Sequence, residues 1–130
     1  MDADQSSQVK KIIWIGSSRT DLKAFPAVVK DVIGYALYQA QIGLKALSAK
    51  PLHGFGGAGV LEIVEDHQTD TYRAVYTVKF ANFVYVLHAF QKKSRRGTAT
   101  PKPDIDLIKR RLKAAEEHHN AGQAARRHKR

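Results

Sequence analysis

The sequence predicts an α+β fold: a small antiparallel β-meander sheet with helices packed on one face, in the order β-α-β-β-β-α. Three strand-like runs, at about residues 60–65, 71–80 and 82–91, follow one another with short links. Strands that are joined by short links pair antiparallel, which makes these runs a meander. Apolar residues at helical spacing precede the three runs and recur after them, as expected of helices that bury one side.

The first strand is expected at residues 11–15, an apolar run that ends in a Gly-Ser-Ser turn. A helix follows, with Pro26 in its first turn, where the missing N–H costs little. The core stripe of this helix comprises Val29, Val32, Ile33, Ala36, Leu37 and Ala40. Because the helix separates the first strand from the meander, that strand is expected to pair parallel with a distant strand or to lie at a sheet edge. Residues 48–59 are predicted to be a loop.

The second strand of the meander predicts two unlike sheet faces. Its even-numbered residues, from Tyr72 to Phe80, are apolar or aromatic, and we expect them to face the core. Its odd-numbered residues include Arg73 and Lys79, and we expect them on the opposite, open face. The third run is apolar at both parities, which is typical of a central strand.

The last helix is predicted at residues 104–119, because apolar residues recur there at helical spacing and two aspartates suit its N-terminal dipole. No repeated apolar spacing follows it. We therefore expect a disordered leader at residues 1–10, one domain at residues 11–119, and a basic, disordered tail at residues 120–130.

Positive charge is concentrated at the C-terminal end. The 130 residues carry 22 Lys or Arg against 12 Asp or Glu, a net charge of +10. Residues 91–130 hold 13 of these cations and 4 of the acids, so they carry +9. A localised cationic surface attracts polyanions through phosphate neutralisation and counterion release. The sequence therefore points to nucleic acid or an acidic protein as partner.

Composition and motifs exclude several classes of site. There is no cysteine, which rules out disulfides, thiolate metal sites and cysteine nucleophiles. The histidines of the C-terminal region, His118, His119 and His128, lack acids at metal-ligand spacing and are interpreted as a solvated helix end, so neither a metal site nor a cofactor is predicted. The glycine-rich residues 54–59 are not a P-loop, because no Gly-Lys-Ser/Thr follows them. The polar N-terminus has no apolar signal segment, so we expect a cytoplasmic protein.

Arg73 has two interpretations. On an open sheet face, its guanidinium can hold a phosphate through two hydrogen bonds. Alternatively, Arg73 pairs with Glu62 or Glu65 across the strand ladder, as an exposed strand arginine commonly does.

Four cations follow the third strand run, and they are Lys92, Lys93, Arg95 and Arg96. Such a cluster binds phosphates, and repulsion among its members favours the neutral amine that a general base needs. The alternative is a solvated loop that aids solubility. Lys50 and His53 belong to the glycine-rich loop and could fold over a sheet face.

The apolar runs contain three polar or titratable side chains of interest. His88 could act as an acid or base near neutral pH, but a histidine inside an apolar strand is more often a core residue with satisfied polar atoms. Tyr76 and Tyr85 are interpreted as core or stacking residues rather than proton donors.

Five segments together carry a family resemblance. They are Asp21-Leu-Lys-Ala-Phe-Pro26, Gly34-Tyr-Ala-Leu-Tyr38, Gly59-Val-Leu-Glu-Ile63, Tyr72-Arg-Ala-Val-Tyr76 and Tyr85-Val-Leu-His-Ala-Phe-Gln-Lys-Lys-Ser94. Their order and spacing, over about residues 11–112, resemble the HigB-like, phage-derived branch of the RelE/ParE toxin superfamily. The resemblance implies the toxin of a bacterial type II toxin-antitoxin system. Such toxins commonly cleave mRNA, often on the ribosome, and are neutralised by an antitoxin that frequently carries a helix-turn-helix.

The resemblance also implies roles for individual residues. It makes Arg73 the strand arginine that clamps the scissile phosphate, and it makes Lys92 or Lys93 a general base or charge stabiliser. Arg95 would be a second clamp. Further RNA contacts are expected from Arg96, Lys79, Lys50 and His53. A metal-independent endoribonuclease follows, in which the 2′-hydroxyl of the RNA attacks the phosphate, and we expect the antitoxin to cover the cationic sheet face.

Two other functions stay open from the sequence. One is a gyrase-poisoning toxin of the same superfamily, which binds a protein and performs no chemistry. The other is a nucleic-acid-binding module in which the cations are only a phosphate footprint. Translation arrest distinguishes the nuclease from the gyrase poison, and a cyclic phosphate end on cleaved RNA distinguishes it from the binding module.

Overall fold

The computed structural model describes residues 9–56, 59–93 and 99–128, except for the side chains of Arg127 and His128. The secondary-structure elements are β1 (Lys11–Trp14), α1 (Ser18–Lys23), α2 (Ala27–Gln41), β2 (Ala49–Pro51), β3 (Val60–His67), β4 (Asp70–Thr77), β5 (Phe83–Lys92) and α3 (Lys102–His128). The predicted α+β class is confirmed, and the main helix and the three consecutive strands lie close to their expected places. The short helix α1 and the strand β2 are additional to the predicted order.

The strands form one mixed five-stranded sheet in the order β1-β5-β4-β3-β2. β1 lies at one edge and pairs parallel with β5, while all other neighbours pair antiparallel. The first strand is thus both parallel and at an edge, so the sheet is mixed, and the three consecutive strands β3, β4 and β5 pair antiparallel within it. β2 comes from the segment that we predicted as a loop, and it forms the opposite edge. Pro51 is tolerated there because an edge strand leaves some backbone N–H positions without a ladder partner.

The helices cover both faces of the sheet, which corrects the prediction that they pack on one face. On one face, Ile33 of α2 packs in a cluster with Tyr76 of β4. On the other face, Ile108 of α3 packs in a separate cluster with Val75 of β4 and Leu87 of β5. The apolar stripe of α3 needs a surface that excludes water, and the odd-numbered face of β4 supplies it.

The open sheet face expected around Arg73 is therefore wrong. Every residue of β4 from Thr71 to Thr77 is buried, including the odd-numbered ones. Alternation of apolar and polar residues predicts one buried face, but it does not exclude a polar residue that is buried with its own partners.

A β-bulge in β5 shapes the face that α3 covers. Val75 pairs with His88, whereas the next residue, Tyr76, pairs with Val86, so Leu87 is an extra residue on β5. A bulge interrupts the alternation of side chains between the two faces. Leu87 therefore packs in the apolar cluster under α3, and His88 also reaches a residue of α3.

α3 continues to His128, so the expectation that it ends at residue 119 and gives way to a disordered tail is wrong for residues 120–128. Its later turns are rich in alanine, the residue with the highest helix propensity. His119 also keeps the helix against the body, with its ring centroid 5.3 Å from that of Phe80. Neither α3 nor any other helix in the described part of the chain is long and apolar enough to cross a membrane. Residues 1–8 of the predicted leader and residues 129–130 of the predicted tail lie outside the described residues.

Candidate nucleic-acid interface

A buried ion pair on two neighbouring strands forms the centre of the site. Nη1 of Arg73, on β4, lies 3.5 Å from both carboxylate oxygens of Glu62, on β3. The two side chains are only 3% and 12% exposed. The pairing with Glu62, which was the alternative to an exposed phosphate clamp, is thus the one observed.

Thr100 joins this ion pair to the segment that enters α3. Its hydroxyl donates to Oε2 of Glu62 over 2.6 Å and accepts from Nη1 of Arg73 over 3.2 Å. A hydroxyl can donate and accept at the same time, so hydrogen bonds connect Thr100, Glu62 and Arg73 with one another. The start of α3 is thereby fixed against the β3–β4 part of the sheet.

A second polar contact holds the first turn of α3 against β5. Nε2 of the buried His88 lies 2.7 Å from Oδ1 of Asp104. Because an ionised carboxylate only accepts hydrogen bonds, Nε2 of His88 donates in this contact. Nδ1 of His88 has no hydrogen-bond partner among the described residues, and the ring stacks on that of Phe90 with centroids 4.7 Å apart. His88 is therefore buried, as expected of a core histidine, but only one of its two ring nitrogens has a partner among the described residues, and that nitrogen anchors a helix.

We use the name polar network for the five residues of these two separate sets of contacts, one of three residues and one of two. They are Glu62, Arg73, His88, Thr100 and Asp104. Sequence reasoning had not assigned Thr100 to any site and had interpreted Asp104 only as a partner of the helix dipole. No local signal marks either contact, because Thr100 meets Glu62 across 38 positions of sequence.

Three of the predicted cations lie near the polar network. Lys92 pairs with Thr71 and is half-buried, which makes it the next residue along β5 on the sheet face of Arg73. Lys50 lies opposite Glu62 in the β2–β3 ladder and is exposed. Lys93 follows directly after β5 and is exposed. In the strand ladder, Lys50 and Lys92 are thus neighbours of a largely buried ion pair and not of an open arginine.

Two other predicted RNA contacts lie away from the polar network. Lys79 follows the C-terminal end of β4, whereas Lys92 pairs near the N-terminal end of that strand, and the Nζ of Lys79 lies 5.6 Å from the ring centroid of Phe80. His53 is exposed in the turn after β2, toward the start of β3. Arg95 and Arg96 lie outside the described residues, so their place in the site stays a prediction.

Comparison with known proteins supplies the family. A model of the family described as Phage derived protein Gp49-like (DUF891) matches residues 20–113, from α1 into α3. The chain belongs to this family. The Gp49-like family is a type II toxin family of the RelE/ParE-like kind, and membership implies a cognate antitoxin as partner. Neither the search of curated proteins nor the search of solved structures finds a match to the chain.

Two core tyrosines of this Gp49-like protein lie on opposite faces of the sheet, Tyr85 under α3 and Tyr76 on the α2 face. The hydroxyl of Tyr85 lies 2.9 Å from Nδ1 of His118. His118 is exposed, as expected, but α3 continues past it to His128, so it does not lie at the helix end. Burial raises the pKa of Tyr85 and raises the pKa of Tyr76 to about 12. Both tyrosines therefore stay protonated at neutral pH, in keeping with their expected place in the core. No group of three or more potential metal-ligating side chains occurs among the described residues.

An exposed apolar surface lies on the side of the sheet opposite the polar network. It consists of α2 residues Tyr35 and Tyr38 and loop residues Leu44 and Leu47, and we call it the α2 patch. Leu47 is 98% exposed and Tyr35 is 64% exposed. A cleft of about 620 Å³ runs between them and is also lined by Asp31, Gln39 and Ser48. Because large exposed apolar patches mark interaction surfaces, this surface fits a protein partner better than a nucleic acid.

Proposed function

We propose that this Gp49-like protein is a HigB-like toxin that cleaves mRNA, on the ribosome and without a metal ion, and so inhibits translation. The observation that carries the proposal is the position of Lys92 and Lys93 at the end of β5, beside the polar network and inside the family match. A cationic strand end of this kind attracts the RNA backbone, and members of the family are often RNase-like.

The reaction needs few protein groups because RNA supplies its own nucleophile. The 2′-hydroxyl attacks the adjacent phosphorus, and the bond from phosphorus to the 5′-oxygen breaks. The products are a 2′,3′-cyclic phosphate and a 5′-hydroxyl. The protein must accept the proton of the 2′-hydroxyl, return a proton to the leaving 5′-oxygen, and stabilise the charge of the pentacoordinate phosphate.

We assign the charge stabilisation to Lys92 and Lys93, one of which also serves as the general base. Arg73 is a positioning residue in this proposal, because its guanidinium bonds Glu62 and Thr100 and so fixes the chain beside these lysines. This role replaces the exposed clamp that the sequence predicted. Lys50 contributes a flanking phosphate contact from β2, and Arg95 remains the expected second clamp.

Ribosome dependence follows from the limited chemistry of such a site. Orientation by a larger assembly can contribute as much to a rate as an additional catalytic group does. On the ribosome, a pair of lysines then suffices, since the mRNA is already held in place. The antitoxin implied by the family is proposed to carry a helix-turn-helix.

Primer extension on cellular mRNA after induction tests the proposal. We expect new breaks within coding regions, and we expect them to disappear when translation is blocked before induction. The variant Lys92→Ala/Lys93→Ala should remove the breaks, whereas Lys11→Ala/Lys23→Ala, which removes the same charge from exposed positions elsewhere, should keep them. Growth arrest with intact mRNA and damaged DNA would overturn the nuclease and indicate a gyrase poison.

A further inference from the structure

We propose that the outer side and C-terminal end of α3 form a preformed cationic arm that binds the phosphate backbone of double-stranded RNA. The arm consists of residues 109–128, and its described exposed cations are Lys109, Arg110, Lys113 and Arg126. The proposal deepens the proposed nuclease by naming a second RNA contact, yet it concerns binding alone. Residues 114–128 lie beyond the family match, so this length of helix is not described by the family model.

The cations of α3 fall into two groups. Lys102 pairs with Asp106 over 3.1 Å, and Arg111 donates to the carbonyl of Leu87 over 3.0 Å and to Oγ of Ser17 over 3.1 Å. These two residues are used within the protein. The four cations of the arm have no ion-pair partner in the described part of the chain, so their charge is available to a ligand.

The end of the arm also projects past the body. The buried side of α3 runs through Ile108 and Ala115 to the half-buried His119. Arg126 follows Ile108 by about five helical turns and so points to the same side of the helix. It is nevertheless exposed, which shows that the protein body no longer lies beneath the helix at that point. The side of the helix that carries Arg126 is therefore open to a ligand.

The charged side chains at the C-terminal end of the arm are all positive. No acid occurs after Glu117, and the last five residues include four cations, Arg126, Arg127, Lys129 and Arg130. A cation in the last turn of a helix also stabilises the helix dipole, which gives Arg126 an explanation within the protein. The helix dipole does not explain Lys109, Arg110 and Lys113, because its effect is confined to the last turn of the helix.

The chemistry of the arm favours an RNA duplex over other polyanions. Single strands are held by stacking on aromatic side chains, and the exposed residues of the arm that the structure describes include no Phe, Tyr or Trp. Protein interfaces have an apolar centre, and the same residues include no exposed Leu, Ile, Val or Met. A rigid rod with cations on several sides suits a duplex, whose phosphates line both sides of each groove.

Binding is measured by fluorescence anisotropy with a 20-base-pair RNA duplex whose 2′-positions are methylated, so that cleavage cannot occur. The test variant is Lys109→Gln/Lys113→Gln/Arg126→Gln. The matched control is Lys11→Gln/Lys23→Gln/Arg19→Gln, which removes three exposed cations outside the arm. Circular dichroism checks that helix content is the same in all proteins, as expected since glutamine is a good helix former.

We expect the arm variant to lose about 2 to 3 units from the slope of log Kd against log salt concentration, at roughly 0.7 to 0.9 per phosphate contact. The control should keep the slope of the original protein. Equal losses in both variants, tighter binding of the methylated single strand, or equal competition by polyglutamate would each overturn the arm as a duplex-binding surface. Cleavage is read separately by primer extension, so duplex binding without mRNA breaks would overturn the nuclease and leave the arm standing.

Discussion

Arg73 and Glu62 form an ion pair that is almost entirely withdrawn from solvent, with 3% and 12% of their side chains exposed. The pair lies on the sheet face that α3 covers at Val75 and Leu87, and it contacts Thr100, just before α3. Burying two opposite charges is tolerated when each finds its partner and further hydrogen bonds. Thr100 supplies those further bonds here. The ion pair and Thr100 thus stabilise the site from inside the protein rather than from its surface.

The variant Arg73→Ala is expected to destabilise the protein by about 3–5 kcal/mol, because it leaves the largely buried Glu62 carboxylate without its charged partner. Replacing an arginine on an open sheet face would lower the free energy of unfolding only slightly. Urea unfolding measures the difference, with Lys79→Ala as the control at an exposed cation. The double variant Arg73→Met/Glu62→Met should recover most of the lost stability, since it removes both charges together. A single variant as stable as the original protein would contradict the buried pair.

Asp104 and Asp106 offer a matched comparison on the first turns of α3. Asp104 bonds the buried His88 over 2.7 Å, whereas Asp106 bonds Lys102, whose side chain is 84% exposed. We expect Asp104→Asn to cost about 1.5–3 kcal/mol, because the charge-assisted bond to the buried His88 is lost. Asp106→Asn should cost less than about 0.5 kcal/mol. Equal costs in urea unfolding would show that the His88 contact does not anchor α3.

Tyr76 and Tyr85 should respond oppositely to loss of their hydroxyl groups. The buried hydroxyl of Tyr76 has no hydrogen-bond partner among the described residues, so Tyr76→Phe is expected to leave stability unchanged or raise it by about 1 kcal/mol. The hydroxyl of Tyr85 bonds Nδ1 of His118, so Tyr85→Phe should cost about 1 kcal/mol. Thermal and urea unfolding at neutral pH measure both changes.

Tyr76 should also make stability depend on pH in alkali. Its pKa rises from 10.0 in the unfolded chain to about 12 in the folded protein. Between these values the unfolded state loses the proton first, so the free energy of unfolding falls as pH rises. The contribution is fully present below pH 10 and is lost by about pH 12. Tyr76→Phe should reduce this slope, and an identical slope in both proteins would contradict the raised pKa.

Neutralisation by the antitoxin is expected to depend on the α2 patch. The sequence suggested that an antitoxin covers the cationic sheet face, but α3 of the same chain already covers that face. The α2 patch, on the other side of the sheet, exposes the large apolar side chains that dominate protein interfaces. We therefore expect Tyr35→Glu/Leu47→Glu to keep toxicity and to lose neutralisation when toxin and antitoxin are expressed together.

The control for that experiment is Thr20→Glu/Thr69→Glu, which adds the same charge at exposed positions outside the patch. It should remain fully neutralised. Hydrogen exchange on the complex gives a second reading, with protection expected over residues 31–48. Protection confined to residues 71–80 and 90–93 would show that the antitoxin acts directly at the polar network.

The sequence predicted the elements that depend on local pattern and missed those that depend on distant contacts. The α2 stripe around Ile33 and the three consecutive strands follow from apolar spacing, and both were found near their expected places. The sequence of β4 could not show that α3 covers one of its faces. Apolar and polar residues alternate along the strand in the same way whether Arg73 is buried or exposed. Likewise, the bulge at Leu87 depends on pairing between strands. Thr100 gives no signal because its partners lie far away in sequence.

The most direct test of the proposed nuclease is the chemistry of the RNA ends that it produces. Purified protein is added to ribosomes that translate a defined mRNA, and the cleaved ends and the rate are measured. We expect a 2′,3′-cyclic phosphate and a 5′-hydroxyl, with the rate for Lys92→Ala/Lys93→Ala lower by roughly a hundredfold or more, as for loss of transition-state charge stabilisation. Ends with a 3′-hydroxyl and a 5′-phosphate, or an unchanged rate in the variant, would contradict the proposed mechanism.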